Sequence, residues 1–250
     1  MRNSLIILGS GGSLGVPVVG CSCKVCHSSS EKNKRLRSSV FLKIQGKNIL
    51  IDPGPDVRLQ CLKAGIDHLD GVILTHVHHD HAAGVDELRV FPLFREGKFP
   101  FLLSEFSHEE LVRRFHYIQK NFVFQPLKEM KGETEFLGIN IRFFTYHQLG
   151  IPVLGLRFGN VAYVTDIKYY TDEIIEDLQG LDFLIISAIR KENPSPAHLL
   201  IPEALDLINK IAPKHTYLTH LSHEVEHEEI NEELPSNIEL GYDGLEICFV

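Results

Sequence analysis

Short apolar runs rich in β-branched residues recur along the whole chain, at residues 5–8, 40–44, 48–51, 71–74, 139–144, 153–158, 161–164, 183–186 and 216–218. Their length and composition predict strands. Gly159-Asn160 lies between two of these runs and tolerates the positive φ of a tight turn, which predicts a hairpin. Helical signals are interleaved. Ser107-His108-Glu109-Glu110 reads as a capping box opening a helix that runs to about residue 119. Residues 171–179 carry early acidic side chains, which suit a helix N-terminus. Pro202 stands at a first helical position before Glu203-Ala204-Leu205-Asp206-Leu207-Ile208. Many strands with helices between them predict an α/β protein of two sheets with helices packed outside, read as one domain over residues 1–250. The stretch 28–39 is loop-like and holds the one basic cluster. Residues 121–127 read as an apolar loop, core in preference to a homodimer patch.

Composition narrows the function classes. A 44% hydrophobic and 23% charged chain is an ordinary globular one, which excludes wholesale disorder. A net charge of −8 weighs against a general binder of nucleic acid or anionic membrane, though it leaves room for a local basic patch. No apolar run approaches the ~18–20 residues of a bilayer helix. Arg2 followed by Leu5-Ile6-Ile7-Leu8 running into glycines is a poor signal peptide. Three of the five cysteines crowd into Cys21-Ser22-Cys23-Lys24-Val25-Cys26, which reads as metal binding before disulfides and points to a cytoplasmic address.

The reactive side chains fall at strand ends. Asp52 follows an apolar run directly, His76, Asp166 and His220 follow one across a single threonine, and His147 follows the 139–144 run at a short distance. In layered α/β proteins that edge is where ligands bind, because strands fix the backbone while loops free the side chains. Thr75-His76-Val77-His78-His79-Asp80-His81 is the densest signal. Imidazole and carboxylate are the donors a borderline divalent ion prefers. His76 and His78 can face one way while Asp80 and His81 turn onward and face another, so one loop can serve two ions. Cys21, Cys23 and Cys26 form a knuckle suited to tetrahedral zinc, with His223 preferred over His27 as the fourth donor. Asp52 reads equally well as an orienting partner of the His76 loop or as a turn former before Pro53-Gly54. The remaining histidines, among them His68, His79, His108, His116, His215 and His227, lack strand-end company.

Two rival motifs fail. Gly9-Ser10-Gly11-Gly12-Ser13-Leu14-Gly15 lacks the Lys-Ser/Thr of a P-loop and has Leu14 where a dinucleotide fingerprint needs its third glycine. It reads as a turn that brings backbone close to the metal centre. No Gly-x-Ser-x-Gly elbow is present.

His76-x-His78-x-Asp80-His81, with His147, Asp166 and His220 downstream, resembles the metal signature of the metallo-β-lactamase superfamily, an αββα sandwich of two mixed sheets. The cysteine knuckle, Leu50-Ile51-Asp52-x-Gly54, Thr219-His220-x-Ser222-His223 and the closing Gly241-Tyr242-Asp243-Gly244-Leu245-Glu246-Ile247 resemble the PhnP type, phosphodiesterases that open 5-phosphoribosyl 1,2-cyclic phosphate. The resemblance implies one ion on His76, His78 and His147, a second on Asp80, His81 and His220, and Asp166 bridging them, the ions being Mn or Zn. It also implies a structural zinc on Cys21, Cys23, Cys26 and His223, and His198 near the substrate phosphate. Ser187-Ala188-Ile189-Arg190 departs from the acidic, Ser-His-containing stretch of the PhnP type.

The expected chemistry is attack of a metal-bound hydroxide on the phosphorus of a small cyclic phosphodiester, with Asp80 and Asp166 in the catalytic cluster. His198 then stabilises the transition state or donates a proton. The alternatives are a tRNA 3′-end endonuclease, a carboxyl-ester, lactone or thioester hydrolase, and a metal-binding scaffold without turnover. The endonuclease should carry a basic, Gly-rich arm, and the sequence shows none.

Overall fold

The computed structural model describes residues 2–93 and 98–250. The first half contributes β1 (Asn3–Gly9), β2 (Ser39–Ile44), β3 (Lys47–Ile51), β4 (Gly71–Ile73), β5 (Phe99–Ser104) and β6 (Phe122–Leu127). The second contributes β7 (Lys131–Phe136), β8 (Ile139–Gln148), β9 (Ile151–Phe158), β10 (Val161–Val164), β11 (Phe183–Ser187), β12 (His215–Thr219), β13 (Ile238–Leu240) and β14 (Glu246–Phe249). They form two seven-stranded sheets, ordered β14-β1-β2-β3-β4-β5-β6 and β13-β12-β11-β10-β9-β8-β7. Strands β3 to β6 run parallel, as do β10 to β13, and the other pairings are antiparallel.

Side-chain alternation explains the layering. Leu5 and Ile7 on β1, Ile49 and Ile51 on β3, Tyr163 on β10 and Ile185 on β11 meet between the sheets. Their neighbours point outward. Leu50 and Val72 pack under the helices of the first sheet, among them Val57–Ala64 and Glu105–Arg114. Ala162, Val164, Leu184 and Ile186 pack under helices Asp172–Asp177 and Ile201–Ile211 of the second. Both faces of the central strands are therefore buried, which is why their sequences read as continuous apolar runs. The result is the expected αββα sandwich. No helix among the described residues is long and apolar enough to cross a membrane.

Several expectations are corrected at the edges. Strands β5, β6, β7, β13 and β14 lie outside the predicted set. Residues 122–127 are an edge strand, not a loop, with Phe122 and Leu127 buried and Val123 exposed. Strand β7 is Lys-Gly-Glu-Thr-Glu-Phe, whose polar face meets water, so no apolar run marks it. The helix expected from residue 107 starts at Glu105, because the Ser104 hydroxyl caps it by accepting from the Ser107 amide. It ends at Arg114, short of the expected 119. The hairpin is as expected, with Phe158 paired to Val161 and Gly159 at φ 62°.

The basic cluster is absorbed into the fold. Arg35 is 1% exposed and donates to the carbonyls of Ser222 and Val225 and to Asn33 Oδ1. Arg37 forms a two-bonded pair with Asp56. Sequence holds no cue to this, since both arginines sit in a polar, loop-like stretch.

Two glycines let the turn after β3 press on the histidine loop. A Cβ on Gly54 would stand 2.1 Å from the Asp80 carbonyl oxygen, and one on Gly84 would stand 2.0 Å from the Gly54 carbonyl oxygen. Both obstacles are backbone, so neither yields cheaply. Gly54→Ala is expected to destabilise the protein by about 1–3 kcal/mol, the usual cost of overpacking. A lowered midpoint in denaturant checks this, and an unchanged midpoint would show that the turn moves freely.

Candidate metal centre

The C-terminal ends of β3, β4, β8, β10 and β12 converge on one edge of the sandwich, where the Thr75 carbonyl accepts from the Leu154 amide and ties the two sheets together. Three residues leave their strands in the left-handed region: Asp52 at φ 60°, Asp166 at φ 56° and His220 at φ 60°. For non-glycine residues this is strained backbone, held only where the surroundings over-determine it. The sharp turn swings each side chain off its sheet and into the shared cluster.

The donors fall into two sets that meet at Asp166. His76, His78 and Asp166 form one group, and Asp80, His81 and His220 form the other. In the first, His76 Nε2 stands 3.0 Å from His78 Nδ1 and 3.6 Å from Asp166 Oδ2. In the second, Asp80 Oδ2 lies 3.4 Å from His81 Nε2 and 3.3 Å from His220 Nε2. Asp166 Oδ1 faces the same two imidazoles at 3.4 and 3.2 Å. One carboxylate oxygen thus addresses each set, as a bridge requires.

Four of these six spacings are longer than an ordinary hydrogen bond and suit donors that share an ion. Donors ~2.0–2.2 Å from one tetrahedral ion stand about 3.3–3.6 Å apart. His81 Nε2, which faces Asp80 and Asp166, is buried with no hydrogen-bond partner. His81 donates its other ring N–H to Asp52 Oδ2 at 2.8 Å, which leaves the Nε2 lone pair aimed at the cluster. Asp52 also accepts from the Thr75 amide and hydroxyl, and the same hydroxyl contacts His76 Nδ1 at 3.0 Å. Asp52 is therefore an orienting partner of His81 and, through Thr75, of His76.

Charge is strongly coupled here. Burial disfavours every ionised form, yet His220 and His81 hold the Asp166 carboxyl well below the usual carboxylate range. His81 likewise holds Asp80 low against burial. The carboxylates of Asp166, Asp80 and Asp52 push His81 up, while burial and the neighbouring His81 push His76 down. His198 is pushed down to about 4 by burial and by His220. Its ring stacks on His220 with centroids 4.7 Å apart, and its Nδ1 lies 3.9 Å from Asp166 Oδ2.

His147 does not join the cluster. It is exposed and lines a separate cavity with Lys131 and Tyr169. Alternation along the strand is the reason: Tyr146 and Gln148 turn to one, buried, face, so the residue between them must turn to the other. Gln148 takes the inward place, 2% exposed, and donates to Asp166 Oδ2 at 3.0 Å and the Ala197 carbonyl at 3.1 Å. Sequence reading missed it because a glutamine beside a histidine draws no attention; counting inward positions from Phe144 would have found it. Thr75 was missed as well, although its place between strand and histidine motif is a cue. His79 is exposed, in keeping with its lack of strand-end company.

Some 200 residues of chain separate the parts of a second cluster. His223 Nδ1 lies 3.2, 3.5 and 3.7 Å from the Sγ atoms of Cys21, Cys23 and Cys26. Sulfur and nitrogen on one tetrahedral zinc stand about 3.5–3.8 Å apart. His27 is exposed and its ring faces the Cys23 carbonyl instead. Arg35 joins the two halves: its backbone pairs with Val16 beside the knuckle, and its guanidinium grips Ser222 and Val225 around His223. Between the clusters, a cavity of about 220 Å³ is lined by the 12–15 turn, Arg190, Ser195 and His198. The glycine turn does approach the cluster, since a Cβ on Gly12 would meet the His220 ring at 3.2 Å.

Known proteins agree with this architecture. Residues 47–221 match the family model described as a beta-lactamase superfamily domain. The crystal structure of a new diphosphatase from the PhnP family superposes with a TM-score of 0.94 at 37% identity, covering 100% of this chain and 98% of that one. Zn²⁺-bound PqqB from Methylobacterium extorquens shares the fold, with a TM-score of 0.82 at 17% identity over 98% and 99% of the two chains. Among curated proteins, the octanoyltransferase of Porphyromonas gingivalis is 39% identical over 254 residues, covering 96% of this chain and 50% of that protein. Coenzyme PQQ synthesis protein B of Methylorubrum extorquens is 29% identical over 145 residues, covering 49% and 48%. The chain spans about half the length of these curated relatives. With the donor sets at the strand ends, a family model over most of its length and a relative matched end to end, this chain belongs to the metallo-β-lactamase superfamily and is of the PhnP type.

Proposed function

We propose that the chain is a metal-dependent hydrolase of a small phosphodiester, a cyclic one such as 5-phosphoribosyl 1,2-cyclic phosphate, working with two divalent ions, Mn or Zn. The observation that carries this reading is Asp166, buried with one oxygen toward each donor set and His198 beside it. Two ions there would polarise a phosphoryl oxygen and make water a competent nucleophile near neutral pH. The ligands would be His76, His78 and Asp166 for one ion, and Asp80, His81, His220 and Asp166 for the other. Asp52 and Thr75 orient His81 and His76 from behind. His198, at the cavity mouth, donates an N–H to a phosphoryl or leaving oxygen.

The setting favours a small substrate. A cavity of about 220 Å³ beside His198 suits a sugar phosphate in size. The arginines of the one basic cluster are spent on internal contacts, and backbone neutralisation dominates nucleic-acid affinity. The diphosphatase relative favours a second reading, cleavage of a diphosphate, which breaks the same kind of P–O bond. The octanoyltransferase name comes with a protein of which this chain matches half, so it supplies no reason to read acyl transfer into this cluster.

A panel of bis-(p-nitrophenyl) phosphate, ribosyl cyclic phosphate, a nucleoside diphosphate sugar, a lactone and a thioester, run with Mn²⁺ and Zn²⁺, tests the substrate class. Turnover of the phosphorus compounds is expected, and activity confined to the carboxyl esters would overturn the proposal. His198→Ala should lower kcat on the best substrate by about 10²–10³-fold, the usual range for a lost hydrogen-bond donor to developing charge, with metal content unchanged. Retained turnover would remove His198 from the reaction.

The cysteine knuckle with His223 is proposed to hold a structural zinc, whose binding energy is folding energy. Cys26→Ser or His223→Ala should release one zinc equivalent and lower Tm, while the ions at the paired site stay. Elemental analysis beside calorimetry reads both effects, and an unaltered zinc count would sink the assignment.

A further inference from the structure

The two donor sets are not equivalent, and Gln148 is the reason. The set of Asp80, His81 and His220 has two imidazoles, its own carboxylate and Asp166 Oδ1. The set of His76 and His78 has two imidazoles and only the shared Asp166 Oδ2. Beside the Asp166 Oδ2 of that set, the chain presents a neutral amide, that of Gln148. Gln148 is 2% exposed, its Nε2 is engaged with Asp166 and the Ala197 carbonyl, and its Oε1 is buried with no hydrogen-bond partner. A buried acceptor without a partner is costly, and here it sits among metal-ligating side chains.

His147 cannot substitute without rebuilding the sheet. Turning it inward needs a one-residue slip of β8 against β9, where His147 now pairs with Pro152 and Gln148 with Ile151. That slip would send every inward side chain of β8 to the opposite face. Phe144 and Tyr146 belong to the core under the helices of the second sheet, and the Tyr146 hydroxyl donates to the Thr165 carbonyl next to Asp166.

We propose that the two ion positions are unequal by construction. The position of Asp80, His81 and His220 holds its ion firmly; the position of His76 and His78, completed by the Gln148 amide oxygen, exchanges its ion and favours a harder one. Amide oxygen is a weaker, harder donor than imidazole, so it costs most with zinc and least with manganese. The inference rests on the reading that the cluster binds two divalent ions.

The test is a release experiment on the intact, Mn²⁺-loaded protein. Samples are dialysed against rising citrate, manganese and zinc are counted by mass spectrometry, and the Mn²⁺ is followed by electron paramagnetic resonance. Two separate release steps are expected, the first at tenfold or more lower citrate, with a spin-coupled spectrum giving way to that of an isolated ion. Gln148→His should move the first step at least tenfold toward the second, Gln148→Ala should move it the other way, and His147→Ala should leave both unchanged. Simultaneous release of both ions from the wild type would overturn the inequality while sparing the two-ion reading. A shift in His147→Ala would also overturn it, by showing that the neighbouring imidazole is the ligand. Failure to bind any manganese at the cluster would overturn the two-ion reading and this inference together. The wild-type release curve decides the inequality by itself, so a variant that fails to fold leaves the test intact.

Discussion

Asp166 imposes the constraint around which the rest of the molecule is arranged. A carboxylate 2% exposed cannot remain ionised unless something replaces the water it has lost. Here the replacement is a ring of imidazoles delivered by separate loops: His76 and His81 after β4, His198 after β11 and His220 after β12. The mutual attraction of carboxylate and imidazoles offsets part of the desolvation cost, and the orphaned Nε2 of His81, which faces the carboxylates, marks where the compensation is incomplete. That incomplete balance is what a pair of cations would finish.

The scaffold meets this demand with strained backbone and close contacts. Asp52, Asp166 and His220 all leave their strands with positive φ, so the sheets stay regular while their last side chains turn through a sharp angle. Gly54 and Gly84 allow the turn behind the histidine loop to lie against it without intervening side chains. Asp52 then receives His81 and Thr75 from the front. His81 and His76 are thus oriented from behind by Asp52 and Thr75, and a preorganised charge arrangement of this sort suits a reaction in which negative charge builds.

A second brace joins the ends of the chain. Arg35 holds the loop around His223 through buried hydrogen bonds while its backbone pairs beside the cysteine knuckle. Asp243 accepts from the Ser10 amide and hydroxyl and from the Leu36 amide, so three distant segments close on one carboxylate. His220 and His223 are only three residues apart, so order in this brace bears directly on the reactive edge. The cavity beside His198 lies between the two clusters and inherits its walls from both.

Much of this was legible in sequence because the physics is local. Apolar runs announce buried strands, a reactive residue just after such a run announces the functional edge, and three cysteines within six positions announce a knuckle. The histidine loop, Asp166 and His220 are all of this kind, and the structure brings them together. What stayed hidden depends on partners far away in the chain. The edge strands β7, β13 and β14 lack a continuous apolar signature, since each is held by pairing on one side only. Arg35 looks like any solvated arginine until the 222–225 loop closes over it. The face that each residue of β8 presents depends on its register with β9, and a shift of one position would exchange His147 for Gln148. Residue identity therefore determined which chemistry the chain can carry, whereas strand register, a property of the assembled sheet alone, decided which of two adjacent side chains takes part in it.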